Sequence, residues 1–538
     1  MRKPITSLLL LTALATGCGS FDMEPPISCR SDDECGDEKV CFIDGCGDPG
    51  KNIVVEVVPN PKGGQFAQDF QVDDLRSQQN IELFDPATLQ GQVRVEGTSS
   101  NSSYSAPITL RMTGESLLIP GVVRRHESTL VPQDGSYTLP VASGRYNVTL
   151  LATDPELPPL SSSRDVQPGH AVTLDFVLPD TTELVRLSGT VVGQDGKPLD
   201  VGLEVQAQDE NQRALSQRVP VDRRTGTFIL ALPPSAAQRA MLLLQVLPTS
   251  ADALVPQKLF TVVNPRKGLQ EPLSMGDYGE PVRFQGSVLD QRGNPVPQAT
   301  VYLSGMVGGG GQYRSQKALT NDEGFFELLT LPSSSDSKMT LSVIPPASSN
   351  AGYTLKYVNV PRVSVTRTPD VVCQERRKLQ GLVQRPSGSQ PAAGVRVVAE
   401  PIEELPGLPR PAFSFEAAHL TDDTGLFALA LDPGRYRLDF IPTEDLPRVS
   451  RIVTVRPAEA TDDPSGTTLE LSTFTLSKGR RVTGQAGFSG GKVVQPLVPY
   501  ASIRFFRVVD VEGKRTALLL AQTLTDQNGN YSATMPTR

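Results

Sequence analysis

The sequence predicts an all-β fold of tandem seven-stranded-type β-sandwiches behind a small disulfide-rich module, and three observations predict it. A glycine two residues after an apolar one opens a strand at Gly91, Gly189, Gly286, Gly381 and Gly484, at spacings of 98, 97, 95 and 103 residues. Each is followed 37 to 45 residues later by a turn glycine with an aromatic two places on: Gly135/Tyr137, Gly226/Phe228, Gly324/Phe326, Gly425/Phe427 and Gly529/Tyr531. A period near a hundred is that of a whole small domain and too long for a solenoid unit. Composition agrees: 46 glycines, 46 prolines and no tryptophan in 538 residues, with no long helix-period stretch, is the mix of a turn-rich β chain. The third observation is period-two alternation inside each repeat.

That alternation is clearest in the fourth repeat. Leu379 to Val383 begins a strand, Pro386 to Gly394 turns, and Val395 to Ala399 is a second strand. After a proline-rich excursion, Thr421-Asp422-Asp423-Thr424-Gly425 turns into Phe427, Leu429 and Leu431, which alternate with alanines. Asp432-Pro433-Gly434 turns again into Tyr436, Leu438 and Phe440, alternating with Arg437 and Asp439. Strands at Ile452 to Val455 and Thr468 to Leu471 complete it. Apolar residues on one face mark half-buried strands. In the turns, aspartate bonds back to the backbone and glycine accepts positive φ. About seven short strands in about a hundred residues is a sandwich.

The frame L-x-G-x-V, G-x-P-x-x-x-x-V, T-D-x-x-G-x-F-x-L-x-L-x-P-G-x-Y resembles the carboxypeptidase regulatory-like domain, which implies a transthyretin-like (prealbumin-like) sandwich related to starch-binding-type folds. The third repeat carries Gly286, Val288, Gly293, Pro295, Ala299, Val301, Thr320, Asp322, Gly324 and Phe326 of it. The second keeps Gly189, Val191, Gly196, Pro198, Gly226 and Phe228, and the final G-x-Y survives as Gly144-Arg145-Tyr146 and Gly434-Arg435-Tyr436. These are turn and core residues, so the resemblance imports no site. It sets the expected boundaries: repeats at 89–186, 187–283, 284–378 and 379–481, and a partial fifth at 482–538.

The N-terminus reads as a targeting signal, residues 1–17. Arg2 and Lys3 precede an apolar run from Ile5 to Ala15, too short to span a bilayer. The run ends in Leu14-Ala15-Thr16-Gly17-Cys18, which resembles the lipobox of bacterial lipoproteins and implies lipidation of Cys18. The other reading is an ordinary secretory signal with a chance cysteine. Two or more acyl chains anchor a protein stably where one does not, and Gly19 after the cysteine points by the same resemblance to the outer membrane. Within the module at 18–50, Cys29, Cys35, Cys41 and Cys46 are spaced C-x5-C-x5-C-x4-C. An even count in an exported chain reads as two disulfides with three connectivities open. Resemblance to cysteine-rich modules of bacterial surface lipoproteins implies Cys29 with Cys41 and Cys35 with Cys46. A zinc site would prefer C-x2-C spacing. Cys373 is left over as a buried structural thiol.

The two ends belong together by length. Residues 51–88 hold strands at Ile53 to Val57, Gln68 to Val72 and Ile81 to Phe84, resembling the back half of a repeat, while the last repeat stops at Arg538 without one. Together the pieces are one period long. Three accounts stand: a chain cut short, extra strands on the first sandwich, or strand complementation between the ends or between neighbouring molecules. An unpaired half-sandwich exposes edge strands that something should cover.

Chemistry was sought along the whole chain. Three histidines, His126, His170 and His419, lie outside any metal spacing and read as surface residues. There is no nucleophile elbow, Walker loop or dinucleotide fingerprint. Gly308 to Gly311 reads as a flexible hairpin tip, and Asp422–Gly425 and Asp526–Gly529 as turns that lack the later calcium ligands. The isopeptide staple of Gram-positive pilus sandwiches needs a lysine just inside the first strand. Val191-Val192-Gly193, Val288-Leu289-Asp290 and Val383-Gln384-Arg385 carry none. A net charge of −8 without a basic patch argues against nucleic acid.

Function therefore points to the variable loops, Thr113 to Thr129, Gln206 to Pro220, Ser304 to Ala318 and Glu400 to Ala418. The fourth carries Leu405, Leu408, Phe413 and Phe415, a candidate binding loop for a partner or a sugar face. The expectation is a non-enzymatic protein without cofactor or catalytic residues, lipid-anchored at the outer membrane or cell surface. It would display sandwiches on a stalk for adhesion to an envelope protein or polysaccharide. The alternative is an architectural spacer or periplasmic assembly subunit; accessory domains of a peptidase would need a catalytic zinc domain that the sequence does not contain. Five domains in line would reach on the order of 150 Å.

Overall fold

A computed structural model describes residues 29, 32–36, 38–60, 66–96, 102–250, 252–386, 390–403, 417–443, 446–456, 468–470, 473–488, 497–511 and 513–537. Its sheets pair off into five two-layered sandwiches. Four are built from consecutive sequence. In sandwich I, Ser136–Val141, Ala87–Val95 and the parallel pieces Ala171–Thr173 and Phe176–Leu178 make one sheet. The other runs in the order Leu160–Val166, Gly144–Ala152, Ile108–Glu115, Val123–Leu130. Sandwich II (185–274), sandwich III (282–372) and sandwich IV (377–475) repeat this plan. Each has its own core, led in III and IV by Phe284, Phe326, Phe427 and Phe440.

The repeating glycine and the aromatic behind the turn are cross-strand partners in all five units: Gly91 with Tyr137, Gly189 with Phe228, Gly286 with Phe326, Gly381 with Phe427 and Gly484 with Tyr531. In sandwiches II and III the ring takes up space that a side chain at the glycine would need. At Gly286 an added Cβ would lie 2.9 Å from the Phe326 ring. Cross-strand pairs are the unit of sheet stabilisation, which is why these two positions recur together.

The T-D-x-x-G turn has a second function, visible only in three dimensions. Thr320, Thr421 and Thr525 are buried. Each hydroxyl donates to a carbonyl (Val296, Ala392, Val498) and accepts an amide (Ala299, Val395, Ala501), pinning the start of the second strand. The next residue makes the turn: Asp422 Oδ1 accepts the amides of Thr424 and Leu426, both at 2.9 Å. The hydroxyl of Thr424 and these amides hold its carboxyl below the usual range. The G-x-Y tyrosines bond back four residues, Tyr146 to the Ala142 carbonyl at 3.0 Å and Tyr436 to that of Asp432 at 2.8 Å. Thr525→Val is expected to cost about 1–3 kcal/mol by leaving a buried amide and carbonyl unpaired. Faster amide exchange confined to residues 497–537 is the readout, since a multidomain chain has no single unfolding free energy.

The fifth sandwich joins the two ends of the chain. Gln68–Val72, Ile53–Val58, Ser502–Val511 and Lys514–Leu524 form one sheet in that order. Asn530–Thr537, Lys478–Phe488 and Ile81–Leu83 form the other. Ile53–Val58 occupies the place that Gly144–Ala152 holds in sandwich I, and Ile81–Leu83 that of the parallel strand. The match extends to single bonds. The Gln79 amide donates to Thr483 as Leu174 does to Gln90, both at 2.8 Å. The Tyr531 hydroxyl donates to the Gln79 carbonyl as Tyr137 does to Leu174. Residues 53–83 therefore complete the last repeat and do not extend the first sandwich. The in-line stalk is corrected by the same fact: with residues 53–83 and 478–537 sharing sheets, the sandwiches between them cannot lie in one straight line.

Candidate functional site

Three of the four variable loops fasten each sandwich to the one before it. The first forms the hairpin Ile108–Glu115/Val123–Leu130, and its tip sets Leu118, Ile119 and Val122 against Val54, Phe506 and Val508 of the closing sandwich. In the second, the Gln217 side-chain amide reaches the carbonyls of Asp154 and Leu157 in sandwich I, at 3.2 and 2.9 Å. In the third, Gln312 and Gln257 exchange backbone bonds at 2.9 Å between sandwiches III and II. The Gly308 to Gly311 run lies in this contact. A Cβ on Gly308 would come within 2.1 Å of the Asp277 carbonyl and one on Gly309 within 2.6 Å of that of Met275. It is a close interdomain approach, a correction to the free hairpin tip. Between III and IV, Arg376 is bonded to the carbonyls of Pro346 and Ser349 at 2.8 Å and to Asp432 at 3.3 Å.

The joint between sandwich I and the closing sandwich is a buried charge cluster. Arg124, on the first hairpin, donates to Glu56 Oε1 at 2.5 Å and to Asp69 Oδ1 at 2.6 Å. Arg504 reaches Glu56 Oε2 at 2.5 Å, and Ser116 donates to Asp69 Oδ2 at 2.5 Å. Glu56 is fully buried. Burial pushes its carboxyl up, Arg124 and Arg504 pull it back, and Asp69 adds to the rise. Two guanidinium groups facing two carboxylates keep the cluster neutral overall. No motif in the sequence marks this cluster. The available signal was a lone acid in the apolar strand Ile53-Val54-Val55-Glu56-Val57, which demands a buried partner.

The cysteine module docks at the other joint. It is paired Cys29–Cys41 and Cys35–Cys46. The sulfurs of Cys29, Cys35 and Cys46 lie within 4.8 Å of one another, but bonded as disulfides they offer no thiolate to a metal. Arg451 of sandwich IV donates to the Cys41 carbonyl at 3.3 Å. Burial brings its pKa down to about 10, against the pull of Asp32 and Glu34. Arg507 stacks on Phe42 at 4.1 Å and donates to the Asp48 carbonyl at 2.9 Å. The module and the chain's two ends thus form one structural unit.

One cleft opens where sandwiches II and III part. It has a volume of about 980 Å³ and is lined by Asp252, Gln257, Met306, Gln312, Arg314 and Lys317 among others. The Arg314 guanidinium lies over Tyr302 at 4.3 Å. Gln312 and Arg314 offer amide and cationic donors from the strand Gly311–Arg314, and the cleft falls in the size range of ligand sites.

Cys18, Leu405, Leu408, Phe413 and Phe415 lie outside the described residues. Cys373 is buried and free, its thiol pushed up to about 11 by burial. His170 and His419 are exposed. His126 is not a surface residue: it is half-buried, edge-on to Phe66 at 5.7 Å, and burial lowers its pKa. Among the described residues no helix is long and apolar enough to cross a membrane.

No protein-family model and no curated protein matches the chain. Among solved structures it is similar to a streptococcal ancillary pilin, at 14% identity over 54% of this chain and 99% of that one, with a TM-score of 0.22. It is similar to the Bacillus anthracis TIE protein at 12% identity over 72% of each chain, TM-score 0.18. A third is the minor pilin of Streptococcus agalactiae, at 14% identity over 40% of this chain and all of that one, TM-score 0.21.

Proposed function

We propose that this chain is a non-enzymatic component of the cell envelope, held to the outer membrane through lipid on Cys18. It presents five fastened sandwiches as one body that binds another surface component, polysaccharide or protein. The observation that carries this reading is the use of the variable loops as fasteners. Three loops that would otherwise be free to diversify around a ligand join sandwiches I, II and III each to the one before, so that the unit presented is the whole array. The place where two sandwiches part is then the natural binding position, and the cleft between II and III is that place. Its donors suit hydroxyl-rich or anionic ligands. The alternative, an architectural assembly subunit without a small ligand, is favoured by the closure of the ends.

The test is retention of the chain from Gly19 onward, exported without its lipid, on purified envelope polysaccharides and peptidoglycan. Arg314→Ala with Lys317→Ala is expected to weaken saturable binding about tenfold or more, the equivalent of one lost charge-assisted hydrogen bond. Loss on changing Phe413 and Phe415 instead would move the site to the fourth loop. No retention on any of these surfaces would overturn the carbohydrate reading and leave the architectural one.

A further inference from the structure

The closing sandwich is assembled from pieces made at opposite ends of the chain. We infer that the same joint also forms between two copies of this chain, residues 53–83 of one molecule completing the 478–537 sheets of the next. The closed monomer and a head-to-tail assembly are then alternative products of one interface.

Neither piece has a core without the other. Of the buried residues in that core, six come from residues 53–83, among them Ile53, Val55, Val57 and Leu83, two from the cysteine module (Val40 and Phe42), and eleven from the C-terminal piece, among them Ile503, Phe505 and Tyr531. Ile53–Val58 is an inner strand, bonded to Gln68–Val72 on one edge and Ser502–Val511 on the other. Unjoined, it offers one bare edge and an apolar face, and Ser502–Val511 offers the complement. Such an edge is a template for whichever matching strand arrives first. The donor strands precede the acceptor by almost 400 residues, about 20–80 s of synthesis at 5–20 residues per second. During that interval acceptors from earlier copies compete.

The bonds at the joint do not depend on which chain supplies the donor. Some hold each piece to the sandwich it is tethered to: Arg124 of sandwich I with Glu56 and Asp69, and the Arg448 amide of sandwich IV with the Leu520 carbonyl at 3.3 Å. The rest run from donor to acceptor: the two strand ladders, Tyr531 with Gln79, and Arg480 with the Leu75 carbonyl at 2.5 Å. A joint between chains satisfies every one of them. What closure adds is a bend in sandwiches I to IV that brings both ends to one place. A joint between chains requires that bend to relax at one or more of the junctions between sandwiches. Exchange of an identical element is a low-cost route to association, and a head-to-tail contact gives rings where its rotation closes and fibres where it does not.

Asn80 and Gln485 test this. They are exposed neighbours across the joint, the backbone N–H of Gln485 donating to Asn80 Oδ1 at 3.1 Å. One full-length chain carries Asn80→Cys and another Gln485→Cys, co-expressed with different tags, and a third carries both. The expected result is a disulfide-linked two-chain species from the co-expressed pair, absent when either variant is expressed alone. Alongside, light scattering of the unsubstituted lipid-free chain, refolded at rising concentration, should show masses at multiples of one chain. The inference is overturned if only the double variant cross-links, wholly within monomers, and the mass stays at one chain throughout. Failure of the double variant to cross-link would overturn the joint itself. Binding to polysaccharide enters none of these readouts.

Discussion

Replacing Arg124 by methionine is expected to cost about 3–5 kcal/mol at neutral pH, the usual penalty for stripping one partner from a buried ion pair. The loss should appear as opening between sandwich I and the closing sandwich. Methionine keeps most of the packing volume, so the effect is electrostatic: Glu56 and Asp69 lose the guanidinium that both of them bond. The pH dependence has a definite sign. Burial already holds the Glu56 carboxyl above its ordinary value, and losing Arg124 removes an opposing pull. A carboxyl raised in the folded state contributes stability that is fully present below its unfolded value, about 4.3, and is lost as pH rises through the folded one. The deficit of the variant is therefore greatest at neutral and alkaline pH and shrinks toward pH 4. Adding Glu56→Gln should recover part of it, because replacing both partners costs less than orphaning one. Hydrogen exchange of residues 53–58 and 502–511 at pH 5 and pH 8 measures this. An equal loss at both values, with no recovery in the double variant, would show that Arg124 acts by packing alone.

What the sequence made legible follows from what is local. The glycine and aromatic partners of each unit lie 39 to 47 residues apart within one sandwich, and strand period and turn chemistry suffice to place them. The strands at 53–57 and 68–72 were readable for the same reason, and the matching length of the two pieces left their partnership as one of three accounts. The fasteners were not readable. Gln217, Gln312 and Arg124 stand in loops whose composition is that of any surface loop, and the angle between sandwiches follows no periodicity. The glycine run at 308–311 shows the difficulty: without a neighbour in view, four glycines describe a mobile tip, whereas packed against Met275 and Asp277 they describe a close approach. Glu56 carried a signal that went unused, a lone acid in an apolar strand that required a buried partner it could not identify.

Gly484→Val is expected to release the N-terminal strands altogether. A Cβ at Gly484 would stand 1.9 Å from the Gln79 carbonyl oxygen and 2.9 Å from the Tyr531 hydroxyl. The nearer obstacle is backbone that is itself held in the sheet by the Gln79 amide. Neither can step aside without parting Ile81–Leu83 from Lys478–Phe488, so the cost should exceed about 4 kcal/mol, the range of the severest single substitutions. Gly91→Val presents the same obstacle inside sandwich I, 2.1 Å from the Leu174 carbonyl, and should unfold that sandwich locally. Gly189→Val meets the side chains of Leu269 and Phe228 first; these can repack, and about 1–3 kcal/mol is expected. The three variants separate stability from architecture. Only Gly484→Val should expose residues 51–83 to protease while sandwiches I to IV keep their protection, and only it should lengthen the particle in small-angle scattering. A particle of unchanged dimensions after that release would mean that the fasteners between sandwiches hold the bend by themselves, and that pairing of the ends records the shape of the chain without imposing it.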